Sequence, residues 1–191
     1  DVHMVAADGA AAAGKNRRWV QSREAGFRVH WYPAEYSNRL GVAARIRAFL
    51  AFAAAASRKA IELNGDVTFA TSAPLTIALP ALAARAARRS PYVFEVRDLW
   101  PETPITMGAL KNPLSKLAAR CLERSAYRYA SAVVALSPDM KRGVVRTGIP
   151  ESLVSVIPNS CDFDLFAATS AATRAAAEAF RASRSWLENR P

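Results

Sequence analysis

Short apolar runs separated by alanine-rich segments constrain this chain more than any other feature. The runs fall at residues 2–6, 66–72, 92–96, 131–136 and 153–158, for example "YVFEV" and "SAVVAL". Several are apolar almost throughout, as strands are when both faces of a parallel sheet are covered. Helices are expected between them: 42–63 ended by Asn64-Gly65, 74–89 opened by Pro74, 113–129 opened by Pro113, 138–147 opened by Ser137-Pro138, and 170–182. "FRVHWY" (27–32) alternates apolar and polar residues, so it reads as a strand with one exposed face near an edge. Residues 9–26 read as a loop with some helix, and 33–41, 97–112 and 159–166 as loops. Alternating strands and helices define an α/β fold: a Rossmann-like, mainly parallel sheet with helices on both faces.

The apolar fraction of 51% over 191 residues supports a packed core, not a disordered chain. Lys and Arg number 26 against 16 Asp and Glu, a net charge of +10. That excess suits an anionic partner: nucleic acid, a phospholipid surface or a phosphorylated substrate. For nucleic acid there is no helix-turn-helix, aromatic sheet motif or zinc spacing to support it. Cys121 and Cys161 match no zinc or redox motif and read as free thiols of a reducing cytoplasm. His3 and His30 lie far apart in strand-like contexts, and no metal site is expected.

Ligands of open α/β sheets bind outside the carboxyl ends of the strands. The residues there are Ser72, Arg97 and Asp98, Ser137, and Asn159 with Asp162. Ser72 before Pro74 and Ser137 before Pro138 suit helix capping, and Asn159 and Asp162 suit a turn. Arg97, Asp98 and Glu102 stand out, because ending a strand needs no three charges. They read equally as a ligand site or as an ion-paired lock on the loop. Trp100 and Pro101 read as packing of that loop.

Taken in order, "FEVRDLWPE", "VVALSPDMKRGVVRTGIP" and "VSVIPNSCDFDLF" resemble the N-terminal domain of family 4 glycosyltransferases. More closely, they look like the bacterial subgroup that builds surface polysaccharides and lipid-linked oligosaccharides with amino sugars. "YSNRLG", "FATSAPLTIALPAL" and "GALKNPLSKLAARCLERSAYRYA" fit the same subgroup, and the resemblance runs from about Gly26 to Phe166. It implies a GT-B fold of two Rossmann-like domains, retaining sugar transfer, a nucleotide sugar as co-substrate, and neither cofactor nor metal. It also implies that residues 1–166 are a partial N-terminal acceptor domain lacking its first strand and Gly-rich turn. Residues 167–191 would then be a linker and helix leading towards a C-terminal donor domain outside this chain.

The site implied by the resemblance has Asp98 as the catalytic residue orienting an acceptor hydroxyl. Arg97, Glu102, Ser72, Ser137 and Asn159 would bind substrate. Many family members carry a His-Asp pair where this chain has Arg97-Asp98. An arginine stays charged, so contact with phosphate oxygens replaces any neutral imidazole role. The implied partners are a nucleotide-sugar donor, held by the other domain, and a lipid-linked or polysaccharide acceptor. Nucleic acid is not among them. The apolar run from Ala48 to Ala56, flanked by Arg45, Arg47, Arg58 and Lys59, is too short to span a bilayer. Phe52 reads as core packing, while Arg45, Arg47, Phe49 and Leu50 read as a contact with an anionic membrane surface. The expected location is cytoplasmic, peripheral on the inner membrane. The rival readings are a basic Rossmann-like nucleic-acid-binding domain and another GT-B-like enzyme, such as a sugar-nucleotide epimerase.

Overall fold

The computed structural model describes residues 1–8, 19–34, 41–72, 74–108, 110–161 and 171–184. Seven strands and six α-helices follow in chain order among these residues. They are β1 (His3–Asp8), β2 (Val20–Glu24), β3 (Phe27–Pro33), α1 (Val42–Leu63), β4 (Thr68–Ser72), α2 (Ala78–Arg88) and β5 (Tyr92–Val96). Then come α3 (Glu102–Thr106), α4 (Pro113–Arg128), β6 (Ala132–Ala135), α5 (Pro138–Arg146), β7 (Val154–Val156) and α6 (Ala171–Ala182). The chain divides into two compact units, Asp1–Pro158 and Asn159–Pro191.

The apolar runs form the strands expected of them, and the class is α/β. The strands are shared between two sheets, however. One has the order β1-β3-β2 and the other β4-β5-β6-β7. In the second, every pairing is parallel, with Thr68 opposite Tyr92, Val93 opposite Ala132 and Val133 opposite Val154. In the first, β1 runs parallel to β3, while β2 is antiparallel to it. The single sheet suggested by the run of strands is therefore interrupted between β1 and β4.

Strand β2 lies where a loop with some helix was expected. Val20, Gln21, Arg23 and Glu24 are exposed, so no apolar pattern marks it. It is made by the turn at Ala25 and Gly26, which have φ of 47° and 87°. Two successive positive φ values match the twist of a two-residue hairpin. Within the expected 97–112 loop, residues 102–106 form the short helix α3.

Helix ends follow their local chemistry. Asn64 takes the left-handed conformation after α1 and returns its N–H to the Ala60 carbonyl. Asn112 caps α4, its side chain accepting from the Leu114 N–H at 2.8 Å, with Pro113 in the first turn. The main core lies between β4–β7 and helices α2, α4 and α5. Tyr92, Phe94, Val96, Val133 and Ala135 meet Ala78, Ala81, Ala126, Tyr127 and Val144 there. Phe94 is fully buried and lies 5.9 Å from the Tyr127 ring; burying such a side chain stabilises by about 2–3 kcal/mol. The Tyr92 hydroxyl, also buried, donates to the Ala126 carbonyl at 2.7 Å.

Helix α1 packs on the three-stranded sheet. Phe52 meets Tyr32 at 5.8 Å, in keeping with its core reading, and Ala53 and Ala56 are buried. His30 is buried, and its ring stacks on His3 with a nitrogen–nitrogen separation of 2.9 Å. Burial, with Lys59 next, lowers the His30 pKa. Among the described residues no cluster of His, Cys, Asp or Glu could hold a metal, and no helix is long and apolar enough to cross a membrane.

Candidate functional site

Parallel pairing sets the site's geometry. Ser72 is opposite Val96, Val96 opposite Ala135, and Ala135 opposite Val156. These residues form one row across the sheet, so the residues that follow them leave at one rim. Arg97 and Asp98 leave β5 there, and Ser137 follows β6 by two residues.

The two rim serines have different tasks. Ser137 caps α5, its hydroxyl accepting from the Met140 N–H at 3.2 Å. Ser72 caps no helix. Its buried hydroxyl accepts the Arg97 backbone N–H at 3.0 Å. It thereby ties the start of the charged loop to the end of β4.

The loop itself is fixed by apolar packing and backbone bonds. Leu99 and Trp100 pack against the core, and Pro101 and Pro104 are buried. The Trp100 N–H donates to the Asp98 carbonyl and the Thr103 N–H to the Leu99 carbonyl, each at 3.0 Å. Trp100–Pro101 is a cis peptide. Leu99 presses on α5 at Gly143, where an added Cβ would lie 2.9 Å from both Leu99 Cδ atoms. Among the described residues, no ion pair involves Arg97, Asp98 or Glu102. The ion-paired lock is therefore not what holds the loop. The side chains of Arg97, Asp98 and Glu102 are exposed.

Arg97 and Asp98 also line one end of a cavity of about 1910 Å³, together with Trp100 and Thr103. Asn159 belongs to the second unit, where it is exposed; Asp162 lies outside the described residues. On α1, Arg47 and Leu50 are exposed, Arg45 and Phe49 half-buried. Arg45, Phe49 and Leu50 line the same cavity.

One residue near the loop had no sequence signal strong enough to single it out. Glu123 is buried on α4, and burial first, then Glu102, push its carboxyl up to about 7. The Tyr127 hydroxyl lies one turn later, and burial raises its pKa strongly. A glutamate with a tyrosine four residues on is the trace it leaves in the sequence.

A parallel sheet with polar residues gathered at its carboxyl rim defines a Rossmann-like domain of the kind that meets ligands at that rim. The glycosyl transferase 4-like domain model matches residues 1–160, and the chain belongs to that family. No curated protein matches it. Among solved structures it is similar to Anabaena Alr3699/HepE in three complexes. With UDP-glucose the identity is 24% and the TM-score 0.48, over 69% of this chain and 33% of that one. With UDP and glucose the values are 24% and 0.46, over 72% and 32%. With UDP they are 21% and 0.50, over 81% and 37%. The chain thus spans about a third of the length of these structures.

Proposed function

We propose that this chain is the acceptor-side part of a retaining glycosyltransferase. It would help move a sugar from a nucleotide sugar to a lipid-linked or polysaccharide acceptor in bacterial cell-surface glycan synthesis. The observation that carries this reading is the exposed pair Arg97–Asp98 at the carboxyl end of β5, in a chain whose family match spans residues 1–160. The loop is held by Leu99, Trp100 and Pro101, which leaves both charges for a ligand.

In this reading Asp98 orients the acceptor hydroxyl and accepts its hydrogen bond. Arg97 holds anionic oxygens of phosphate or pyrophosphate. Glu102 steers Arg97 or meets a sugar hydroxyl. Ser72 acts by positioning Arg97, and Ser137 completes the substrate contacts at the rim; Asn159, in the second unit, is kept as a separate substrate-contact candidate. The donor is a nucleotide sugar, as in the Anabaena complexes with UDP-glucose. Contact with the anionic cytoplasmic leaflet, through Arg45, Arg47, Phe49 and Leu50, brings the rim to a lipid-borne acceptor.

The test is transfer of labelled sugar by the full-length protein, using UDP-glucose and UDP-N-acetylhexosamines with a bacterial membrane extract. Label in lipid-extractable or polymeric product is expected, and the 191-residue chain alone should give none. Absence of transfer from every donor, with salt-sensitive binding to random DNA, would replace this reading by the nucleic-acid one.

A further inference from the structure

We propose that His3 and His30 form a proton-operated latch: one shared ring proton ties β1 to β3, and a second proton releases β1. The inference does not rest on glycosyl transfer.

The two rings meet across adjacent strands. In the parallel pairing of β1 with β3, His3 lies beside Arg28, and Val5 beside His30. His3 Nδ1 and His30 Nε2 face one another at 2.9 Å, with the ring planes 14° apart. His30 is only 4% exposed. Its other nitrogen, Nδ1, is buried and has no hydrogen-bond partner among the described residues.

These positions decide where the proton sits. A neutral imidazole donates from one nitrogen and accepts at the other. With the His30 proton on Nδ1, a buried N–H would lack an acceptor and would face the field of the Lys59 ammonium. A bare Nδ1 lone pair is favoured by that same cation. The proton therefore sits on Nε2, which donates to His3 Nδ1.

A second proton has no place in this arrangement. On His3 Nδ1 it sets two N–H donors against each other across 2.9 Å. On His30 Nδ1 it makes the buried N–H without an acceptor. The charged groups around the pair oppose it too. Arg28, paired with Asp1, is on β3, and Arg23 stands beside it on β2. Lys59 and Glu62 come from α1, and Glu62, the acid that acts on His30, is held by Lys59 at 2.8 Å. Burial, then Lys59 and His3, lower the His30 pKa below its ordinary 6.5. The latch is therefore complete above about 6.5 and is lost as pH falls below it. Strand β1 lines the same cavity as Arg97 and Asp98, so the latch holds one wall of that cavity and acid loosens it.

Two measurements on the 191-residue chain test this. The first is nitrogen NMR of the imidazoles at pH 8, which should show His30 protonated at Nε2 and bare at Nδ1. The second is amide hydrogen exchange on β1. The Arg28 N–H donates to the Val2 carbonyl, and alternation from that bond places the Met4 and Ala6 amides in the ladder with β3. Their protection, corrected for intrinsic exchange, should fall at least about tenfold from pH 8 to pH 5, while that of Val133 and Val134 on β6 should not fall. His3→Gln keeps an acceptor for His30 Nε2 but takes up no proton, and it should hold Met4 and Ala6 protected at pH 5. A protonated His30 Nδ1 at pH 8 overturns the proposal, whether or not the variant folds. So does the same loss of protection in His3→Gln. An equal fall on β6 also overturns it, by making the effect global unfolding.

Discussion

The backbone amide of Arg97 is held by the hydroxyl of Ser72, 3.0 Å away on the neighbouring strand. This bond lies where β5 stops being a strand and the charged loop begins. It sets the direction in which Arg97 and Asp98 leave the sheet, and the packing of Leu99 and Trp100 carries that direction onward.

Ser72→Ala removes the acceptor and leaves the Arg97 N–H without its partner at a partly buried position. The expected loss is about 1–2 kcal/mol of folding stability, read by urea denaturation. Ser72→Thr keeps a hydroxyl and should recover part of it. An unchanged midpoint in Ser72→Ala would show that water replaces the hydroxyl at no cost.

Gly143→Ala puts a methyl group where the Leu99 side chain lies. Overpacking costs about 1–3 kcal/mol, but the tip of Leu99 can shift and Ala is favoured over Gly inside a helix by about 1 kcal/mol, so a small net loss is expected. In a Leu99→Ala background the same substitution should cost much less, so a double-mutant cycle should give clear coupling between the two positions. Additive effects would mean that α5 and the loop do not bear on one another.

Stability should depend on Glu123 with a definite sign. Its carboxyl is pushed up to about 7, above the ordinary value of 4.5, by burial and then by Glu102. Between these values the folded protein holds a proton that the unfolded chain has released. Stability therefore falls as pH rises from about 4.5 to 7, by at most about 3 kcal/mol. Glu123→Gln should flatten this slope, as measured by urea unfolding at pH 5 and pH 8. His30, whose pKa is lowered, acts in the opposite direction below 6.5, where acid costs stability. Its effect is common to both proteins and cancels in the comparison.

The strands were legible because several of their runs are apolar on both faces, as at Ala132–Ala135. Their pairing was not, since periodicity names a strand without naming its neighbour. Strand β2 was hidden because its residues are mostly polar and its turn uses Ala25 where an asparagine or aspartate would have signalled a hairpin. At the rim, Arg97 and Asp98 could be read from sequence as charges beyond a strand. The different tasks of Ser72 and Ser137 could not, because both precede a proline and both suit a cap. Glu123 was lost among the charged residues of α4, where only its burial in the folded chain separates it from the solvated acids.

Membrane contact makes a separate prediction. Reversing charge at Arg45 and Arg47 together should weaken binding of the full-length protein to anionic liposomes by roughly tenfold or more, since each basic residue near such a surface contributes about 1 kcal/mol. Co-sedimentation at fixed salt reads it. Unchanged binding would remove α1 from the interface, and equal binding to neutral liposomes would remove the electrostatic part.

Asp98 is proposed to meet the acceptor at the carboxyl rim of the sheet, and sugar transfer by the full-length Asp98→Asn protein is the decisive measurement. Turnover should fall by about 100-fold or more, as for loss of a group acting on the reacting hydroxyl, with stability within about 0.5 kcal/mol of the parent, as for an exposed side chain. Transfer at the parent rate by a folded Asp98→Asn protein would contradict it.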